Sequence, residues 1–394
     1  MMDYTTAHFR AMCRMLSRKT WLYTEMEVDQ TLTHVDHPRL DRYLDFPLQT
    51  HPSVLQLGGS DPESLGRAAA IAAPYAYDEL NLNCGCPSPK VAGKGNFGAA
   101  LMLEPELVAD CVAAMAANSG GAPVTVKCRI GVDDVDSYDA LCAFVETVAA
   151  RMPPRRGEDA RPLFAIHARK ALLRRVLYTG SHTTAGLSPA ENRTVPPLRH
   201  EWVHALARDF PDVAFAINGG INTLEEAVAI ARGEGTPVGG GRLVGTMIGR
   251  RAHADPWGLL ARADTAVFGE ASDPCVSRRA LLETYAAYAD ATWARYGTTK
   301  DGYAVPSIRH LMHPLQNLFL GEPNAKRWRR EVDEVLKRDA RRATTTVTGV
   351  LEETLRVLSD ETLDRAPGEV GEARTLFEGS DVKLPSRSRS AVVA

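Results

Sequence analysis

The chain predicts an α/β fold: a TIM-type (β/α)8 barrel with an all-helical C-terminal domain behind it. Three observations carry that expectation. Short apolar segments alternate with amphipathic helical ones over the first two-thirds of the sequence, the pattern of a parallel sheet with helical crossovers. Polar residues recur just beyond the C-terminal ends of the apolar segments, the face on which such a barrel carries its chemistry. From about residue 277 the alternation stops and only helical periodicity remains.

The elements follow in order. Residues 7–16 read as a helix. Ser53-Val54-Leu55-Gln56-Leu57-Gly58-Gly59 is a strand with its turn, after which Asp61 and Pro62 cap and open a helix over 64–73. Asp78-Glu79-Leu80-Asn81-Leu82 is a short buried strand running into Asn83-Cys84-Gly85-Cys86-Pro87-Ser88, a tight turn that presents a thiol. A glycine-bearing, loose stretch covers 91–96, then helix covers 105–117. Val124-Thr125-Val126-Lys127-Cys128-Arg129 is a strand ending in two cations, followed by a helix over 137–150. Phe164-Ala165-Ile166-His167-Ala168-Arg169-Lys170 ends in His, Arg and Lys, and the next helix spans 201–209. Phe215-Ala216-Ile217-Asn218-Gly219-Gly220 precedes a helix over 224–232 whose Thr223 and Glu226 have capping-box spacing. Residues 244–250 close the series, and helices over 281–296, 306–320, 326–342 and 346–358 complete the chain.

At 394 residues, with 44% apolar and 24% charged content, the chain exceeds one barrel by about a hundred residues, so a second domain is expected. The division read from the sequence is a catalytic barrel over 1–272, a helical domain over 273–362, and a Gly/Ser/charge-rich tail over 363–394 expected to be disordered. A net charge of −3 excludes a polycation as a whole, though not a local basic patch for RNA. The seven cysteines are an odd, scattered set, several inside predicted elements, which points to a reducing compartment, the cytoplasm, rather than a disulfide framework. No apolar run approaches the roughly 18 residues of a membrane span.

A thiol at a strand end, followed by proline and a loose loop, suggests a reacting group delivered to substrate by loop closure. A buried structural cysteine is the plain alternative. Cys84 and Cys86 lack a second Cys/His pair at zinc spacing, so no metal site is read there. Gly-Gly after one strand and Gly249-Arg250 after the next suggest phosphate binding by backbone N–H groups in the slots where barrels often hold phosphate. Gly239-Gly240-Gly241 does not complete a dinucleotide fingerprint.

These motifs, in this order, resemble the tRNA-dihydrouridine synthases, specifically their A branch, over about residues 1–345. The resemblance rests on Met1-Met2-Asp3-Tyr4-Thr5, Leu22-Tyr23-Thr24-Glu25-Met26, Leu55-Gln56-Leu57-Gly58-Gly59, Asn81-Leu82 with the turn to Ser88, and Lys127-Cys128-Arg129-Ile130-Gly131. It continues through His167-Ala168-Arg169-Lys170-Ala171, Gly186-Leu187-Ser188-Pro189, Glu191-Asn192-Arg193, Asn218-Gly219-Gly220 and Arg327-Trp328-Arg329-Arg330. It implies an FMN-bearing barrel, a helical domain that grips tRNA, NADPH as reductant, and D-loop uridines 20 and 20a as targets.

By the same resemblance Cys86 is the proton donor, and Met1, Met2, Gln56, Lys127, His167, Asn218, Gly219, Gly220, Gly249 and Arg250 hold the flavin. Asn83, Arg169, Arg193, Lys326 and Arg329 are matched to tRNA contacts, with Arg169 facing flavin or the extruded uracil. An unperturbed thiol is protonated near neutrality and can donate without tuning, so Cys86 is expected to lack a strongly cationic setting. Cys84 is expected to pack. Lys326-Arg327-Trp328-Arg329-Arg330 puts four cations around one aromatic, extended by Lys337, Arg338, Arg341 and Arg342, a phosphate-binding face on this reading and a solvated face otherwise.

Four features depart from the family pattern. Its first strand lies before the loop with which this chain opens, so a strand upstream of Met1 is expected. An insertion over 174–185 brings Arg174 and Arg175 to the catalytic face, Ala190 replaces a tRNA-contacting lysine, and 309–321 is longer than usual. Two other readings stay open. One is a small-molecule FMN oxidoreductase of the dihydroorotate dehydrogenase kind, disfavoured by the cationic helical domain; the other is a non-catalytic tRNA-binding relative.

Overall fold

A computed structural model describes the chain apart from residues 47, 49, 156–158, 174, 177–181, 184–186, 300–303, 339–344, 373, 378–381 and 389–394. Arg174, Gly186, Arg341 and Arg342 therefore lie outside the described residues. The strands among the described residues are β1 Leu22–Val28, β2 Ser53–Gly58, β3 Glu79–Cys84, β4 Val124–Arg129, β5 Leu163–His167, β6 Arg175–Val176, β7 His182–Thr183, β8 Ala214–Asn218 and β9 Gly245–Met247. Seven form one sheet in the order β1-β2-β3-β4-β5-β8-β9, with every pairing from β2 onward parallel. β6 and β7 make an antiparallel hairpin inside the predicted insertion.

Neighbours in the sheet are neighbours in sequence, joined by helices Pro62–Ala72, Pro105–Asn118, Tyr138–Ala149, His200–Asp209 and Leu224–Arg232. That is β/α-barrel connectivity. Every residue of β2, β3 and β5 is buried, as strands covered on both faces require. β1 has the alternating burial of a half-covered strand and was not among the segments expected; Thr24, Glu25 and Glu27 interrupt its apolar signal.

Caps set the helix ends. The Asp61 carboxylate accepts from Ser64 N at 2.7 Å, and Thr223 and Glu226 form the reciprocal box that their spacing predicts. The expected helix over 306–320 is instead two short pieces, Ile308–Met312 and a tighter turn His313–Asn317. Pro314 explains the break, because it has no N–H to give and its ring crowds the preceding turn.

By contact density the chain divides into two units, one of residues 1–25, 36–53 and 249–372, the other of 26–35, 54–248 and 373–394. The boundaries expected at 272 and 362 differ from this division. In the first unit the Asp264 carboxylate accepts from Ser17 Oγ (2.5 Å) and Arg18 N (2.8 Å), so the opening helix and residues 249–266 go with the helical segment. The tail expected to be disordered makes specific contacts in the second unit at residues 374–377 and 382–388. Arg387 pairs with Glu146 at 2.7 Å, Pro385 O accepts from Arg208 at 2.8 Å, and the Phe377 ring meets His204 edge-on at 5.6 Å. Arg387 finds a carboxylate and Phe377 finds a seat, which composition could not reveal. Among the described residues no helix is long and apolar enough to cross a membrane.

Candidate functional site

The sheet-bearing unit gathers the thiol, the cations and the glycine turn. β3 ends at Cys84, whose fully buried sulfur packs in the core and whose thiol is pushed well above its usual range by burial. The chain then turns sharply. Asn83 Oδ1 accepts from both Gly85 N and Cys86 N at 3.0 Å, a side-chain clamp that carries Cys86 out of the core. Six of the seven cysteines are buried; Cys86 alone is half-exposed.

The far side of the turn is held equally firmly. Ala99 N donates to Cys86 O at 2.9 Å, and Gly98 has φ +67° with room for a Cβ closed off 2.7 Å from Cys86 O. Residues 91–96, expected to be loose, belong in part to a wide helical turn Pro89–Lys94, closed by Ala92 N to Ser88 O (2.8 Å) and Phe97 N to Val91 O (3.1 Å).

Behind Cys86 runs a chain of buried amides. Asn83 Nδ2 donates to Gln56 Oε1 (2.7 Å), Gln56 Nε2 to Asn81 Oδ1 (2.9 Å), Asn81 Nδ2 to Thr125 Oγ1 (2.8 Å), and Thr125 Oγ1 to Glu79 Oε1 (2.6 Å). Glu79 in turn lies 3.5 Å from Arg155. Buried polar groups persist only when satisfied, and here each orients the next. Gln56, expected to touch flavin, and Asn83, matched to tRNA, are thus coupled through one bond.

β4 supplies the cations. Lys127 faces no carboxylate at ion-pair distance among the described residues, and burial, with Arg129 second, pulls its pKa down to about 8. Arg129, 3% exposed, donates from Nε to Gly85 O at 2.8 Å and from Nη1 to Lys170 O and Asn192 O at 3.1 Å. Both cations interact electrostatically with Cys86. Arg129 thus sets its guanidinium against the carbonyl that precedes Cys86, and Lys127, two residues before it, shares its face of β4.

β5 and β8 complete the arrangement. His167 pairs in register with Asn218 and Arg129, and a Cβ on Gly219 would lie 2.6 Å from the imidazole Cδ2. Gly219 and Gly220 have φ +105° and +78°, and among the described residues their N–H groups meet no acceptor. Asn218 Nδ2 donates to Met247 O at 2.7 Å, tying β8 to β9. Arg169 donates to Thr194 O at 3.4 Å and to Pro196 O, so its guanidinium braces the following loop, while Arg193 is half-buried and adds to the field at Arg129.

In the helical unit Met1 Sδ lies 3.1 Å from where a Gly249 Cβ would stand; Met2 and Arg250 are exposed. Trp328 is buried against Phe319, centroids 4.9 Å apart, so the helix Ala325–Arg338 turns its charges outward. Lys337 and Arg338 are paired with Asp333 (2.5 Å) and Glu353 (2.8 Å). Lys326 and Arg330 meet no carboxylate among the described residues, and Arg329 touches only the Asn317 amide at 3.4 Å. These three line an open groove with Gly321, Asn324 and Arg327.

Asn81, Arg129 and Asn192 also hold the site together, although the motifs that contain them give them no role there. The first two had a signal: Glu79, Asn81 and Asn83, like Thr125, Lys127 and Arg129, alternate with apolar residues and so share one inward face of a strand. Asn192, fully buried and donating to Leu187 O at 2.8 Å, had none.

A sequence model of the dihydrouridine synthase (Dus) family matches residues 1–354. The chain is 40% identical over 364 residues to the tRNA-dihydrouridine(20/20a) synthase of Shigella flexneri, covering 92% of each. It is 41% identical over 334 residues to the proteins of that name from Yersinia pestis, covering 85% of this chain and 84% of that one, and Shewanella oneidensis, covering 85% and 86%. An old yellow enzyme homologue from Zymomonas mobilis overlays with a TM-score of 0.39 at 11% identity, over 64% of this chain and 81% of that one, too loose a likeness to argue from.

Proposed function

The chain belongs to the dihydrouridine synthase family, and on that premise we propose that it reduces the uracil C5–C6 bond of D-loop uridines in tRNA, at positions 20 and 20a, with FMN as cofactor and NADPH as reductant. The single observation that carries the reading is the clamped Cys86 turn, lifted out of the core beside two inward cations.

The donor set suits a flavin mononucleotide. Lys127 offers a largely enclosed ammonium with no carboxylate at ion-pair distance among the described residues, the complement of an electron-rich ring edge, and Gly219 and Gly220 offer adjacent N–H groups of the kind that hold phosphate. Gln56 and His167 border the same face, and Met1, Met2, Gly249 and Arg250 keep the flavin role implied by their motifs. Bound there, FMN would supply the hydride.

The remaining work belongs to the protein. Hydride arriving at C6 places negative charge on C5 and the C4 oxygen, and Cys86 Sγ–H gives its proton to C5. Asn83 fixes the turn and retains one Nδ2 proton for a uracil carbonyl. The base must leave its stack to reach this site, so the enzyme grips folded tRNA. Lys326 and Arg329 hold its phosphates, Arg193 adds charge near the reacting base, and Arg169 braces the loop beside it.

The test is Cys86→Ala. The variant keeps its flavin and is reduced by NADPH, yet forms no dihydrouridine on unmodified tRNA by mass spectrometry. Wild-type turnover by this variant, or a purified wild-type protein without flavin, sinks the proposal.

A further inference from the structure

We propose that Arg129 is the positioning residue for the proton donor: it pins the turn that carries Cys86 and supplies the positive charge against which the departing proton leaves a thiolate. The inference rests on the function proposed above. The three carbonyls that Arg129 holds come from two connections: Gly85 after β3, and Lys170 and Asn192, 22 residues apart in the long connection from β5 to β8. Gly85 immediately precedes Cys86, so the guanidinium fixes the sulfur's backbone at one residue's remove.

The manner of its burial points to a task beyond packing. No carboxylate pairs with Arg129 among the described residues, and carbonyls alone offset the desolvation of a guanidinium poorly. Its neighbours compound the cost, since Arg169 and Arg193 add like charge. Burial lowers its pKa only to about 10, so it stays charged at neutral pH. A cation held at such expense beside a thiol suits a site where negative charge appears in passing. In the step itself the S–H bond of Cys86 breaks as the C5–H bond forms. The electron pair stays on sulfur, and solvent later returns the proton. Arg129, with Lys127, opposes the sulfur charge while it lasts.

The experiment uses flavin-loaded, full-length Arg129→Met and Arg129→Lys. Three rates are read: flavin reduction by NADPH, flavin oxidation by unmodified tRNA, and alkylation of Cys86 by iodoacetamide, the other six cysteines being buried. For Arg129→Met, reduction stays within about twofold and the tRNA step falls about a hundredfold. Alkylation of Cys86 slows about tenfold, because it proceeds through the thiolate that the cation favours. Arg129→Lys restores alkylation but leaves the tRNA step about tenfold slow, because an ammonium cannot reproduce the planar fork. Alkylation of Arg129→Met at or above the wild-type rate would mean a merely loosened turn and overturns the proposal. Should that variant not fold, Arg129→Lys decides alone: wild-type turnover with tRNA overturns it, slow turnover with wild-type alkylation supports it. Alkylation needs no RNA, so failure here is separable from failure of the proposed activity, which Cys86→Ala tests.

Discussion

Replacing Asn81 with leucine cuts the interior amide chain at its centre. Asn81 is fully buried, accepts from Gln56 Nε2 at 2.9 Å and donates to Thr125 Oγ1 at 2.8 Å. Leucine is close in volume, so the cost is polar rather than a cavity. Thr125 keeps its bond to Glu79, and its loss is small. Gln56 loses an acceptor inside the sheet, and a buried donor deprived of its acceptor costs about 1–3 kcal/mol. Gln56 also holds Asn83, so the disturbance reaches both the flavin-facing amide and the Cys86 clamp.

We expect Asn81→Leu to lower unfolding free energy by about 2 kcal/mol in urea titrations of the flavin-free protein. Flavin affinity should fall about tenfold by fluorescence quenching, as Gln56 loses its preferred orientation. A cycle with Gln56→Leu should show a coupling of at least about 0.5 kcal/mol. Stability and flavin affinity both unchanged in Asn81→Leu, or a cycle without coupling, would refute the claim that the chain orients Gln56.

Three further outcomes are expected. Lys127 loses its proton as pH rises through about 8, so affinity for FMN should weaken between pH 7 and 9, and Lys127→Gln should bind weakly with no such dependence; equilibrium dialysis across that range checks it. Gly219→Ala forces a Cβ 2.6 Å from the His167 ring at φ +105°, at a cost of about 1–3 kcal/mol, visible as a lower Tm and a colourless protein. Neutralising Lys326 and Arg329 together should weaken tRNA binding and reduce the slope of log K against log salt by about 1–2, with flavin content normal in a filter-binding series.

The strand–helix alternation, the capped helix over 224–232 and the thiol-bearing turn were legible because each is written in contiguous residues. Asp61 before Pro62, Thr223 three before Glu226, and Asn83 three before Cys86 are short-range chemistry, and short-range chemistry survives in a linear text. β1 was not legible, since a strand with polar residues at alternate positions resembles a loop until its neighbour covers one face. The helix over 306–320 was overdrawn for the opposite reason: its apolar period continues through Pro314 although the backbone cannot.

Charge shows the division most plainly. The order of residues alone establishes a basic segment at 326–338, a cationic end to β4, and a lone thiol on a turn. Folding then settles which of those charges remain available. Asp333 and Glu353 neutralise Lys337 and Arg338, whereas Lys326 and Arg330 keep no carboxylate among the described residues. Arg129 spends its donors on carbonyls 41 to 63 positions away in the chain. A charge's worth depends on what lies within about 4 Å, and that neighbourhood is built from distant segments which no local pattern records.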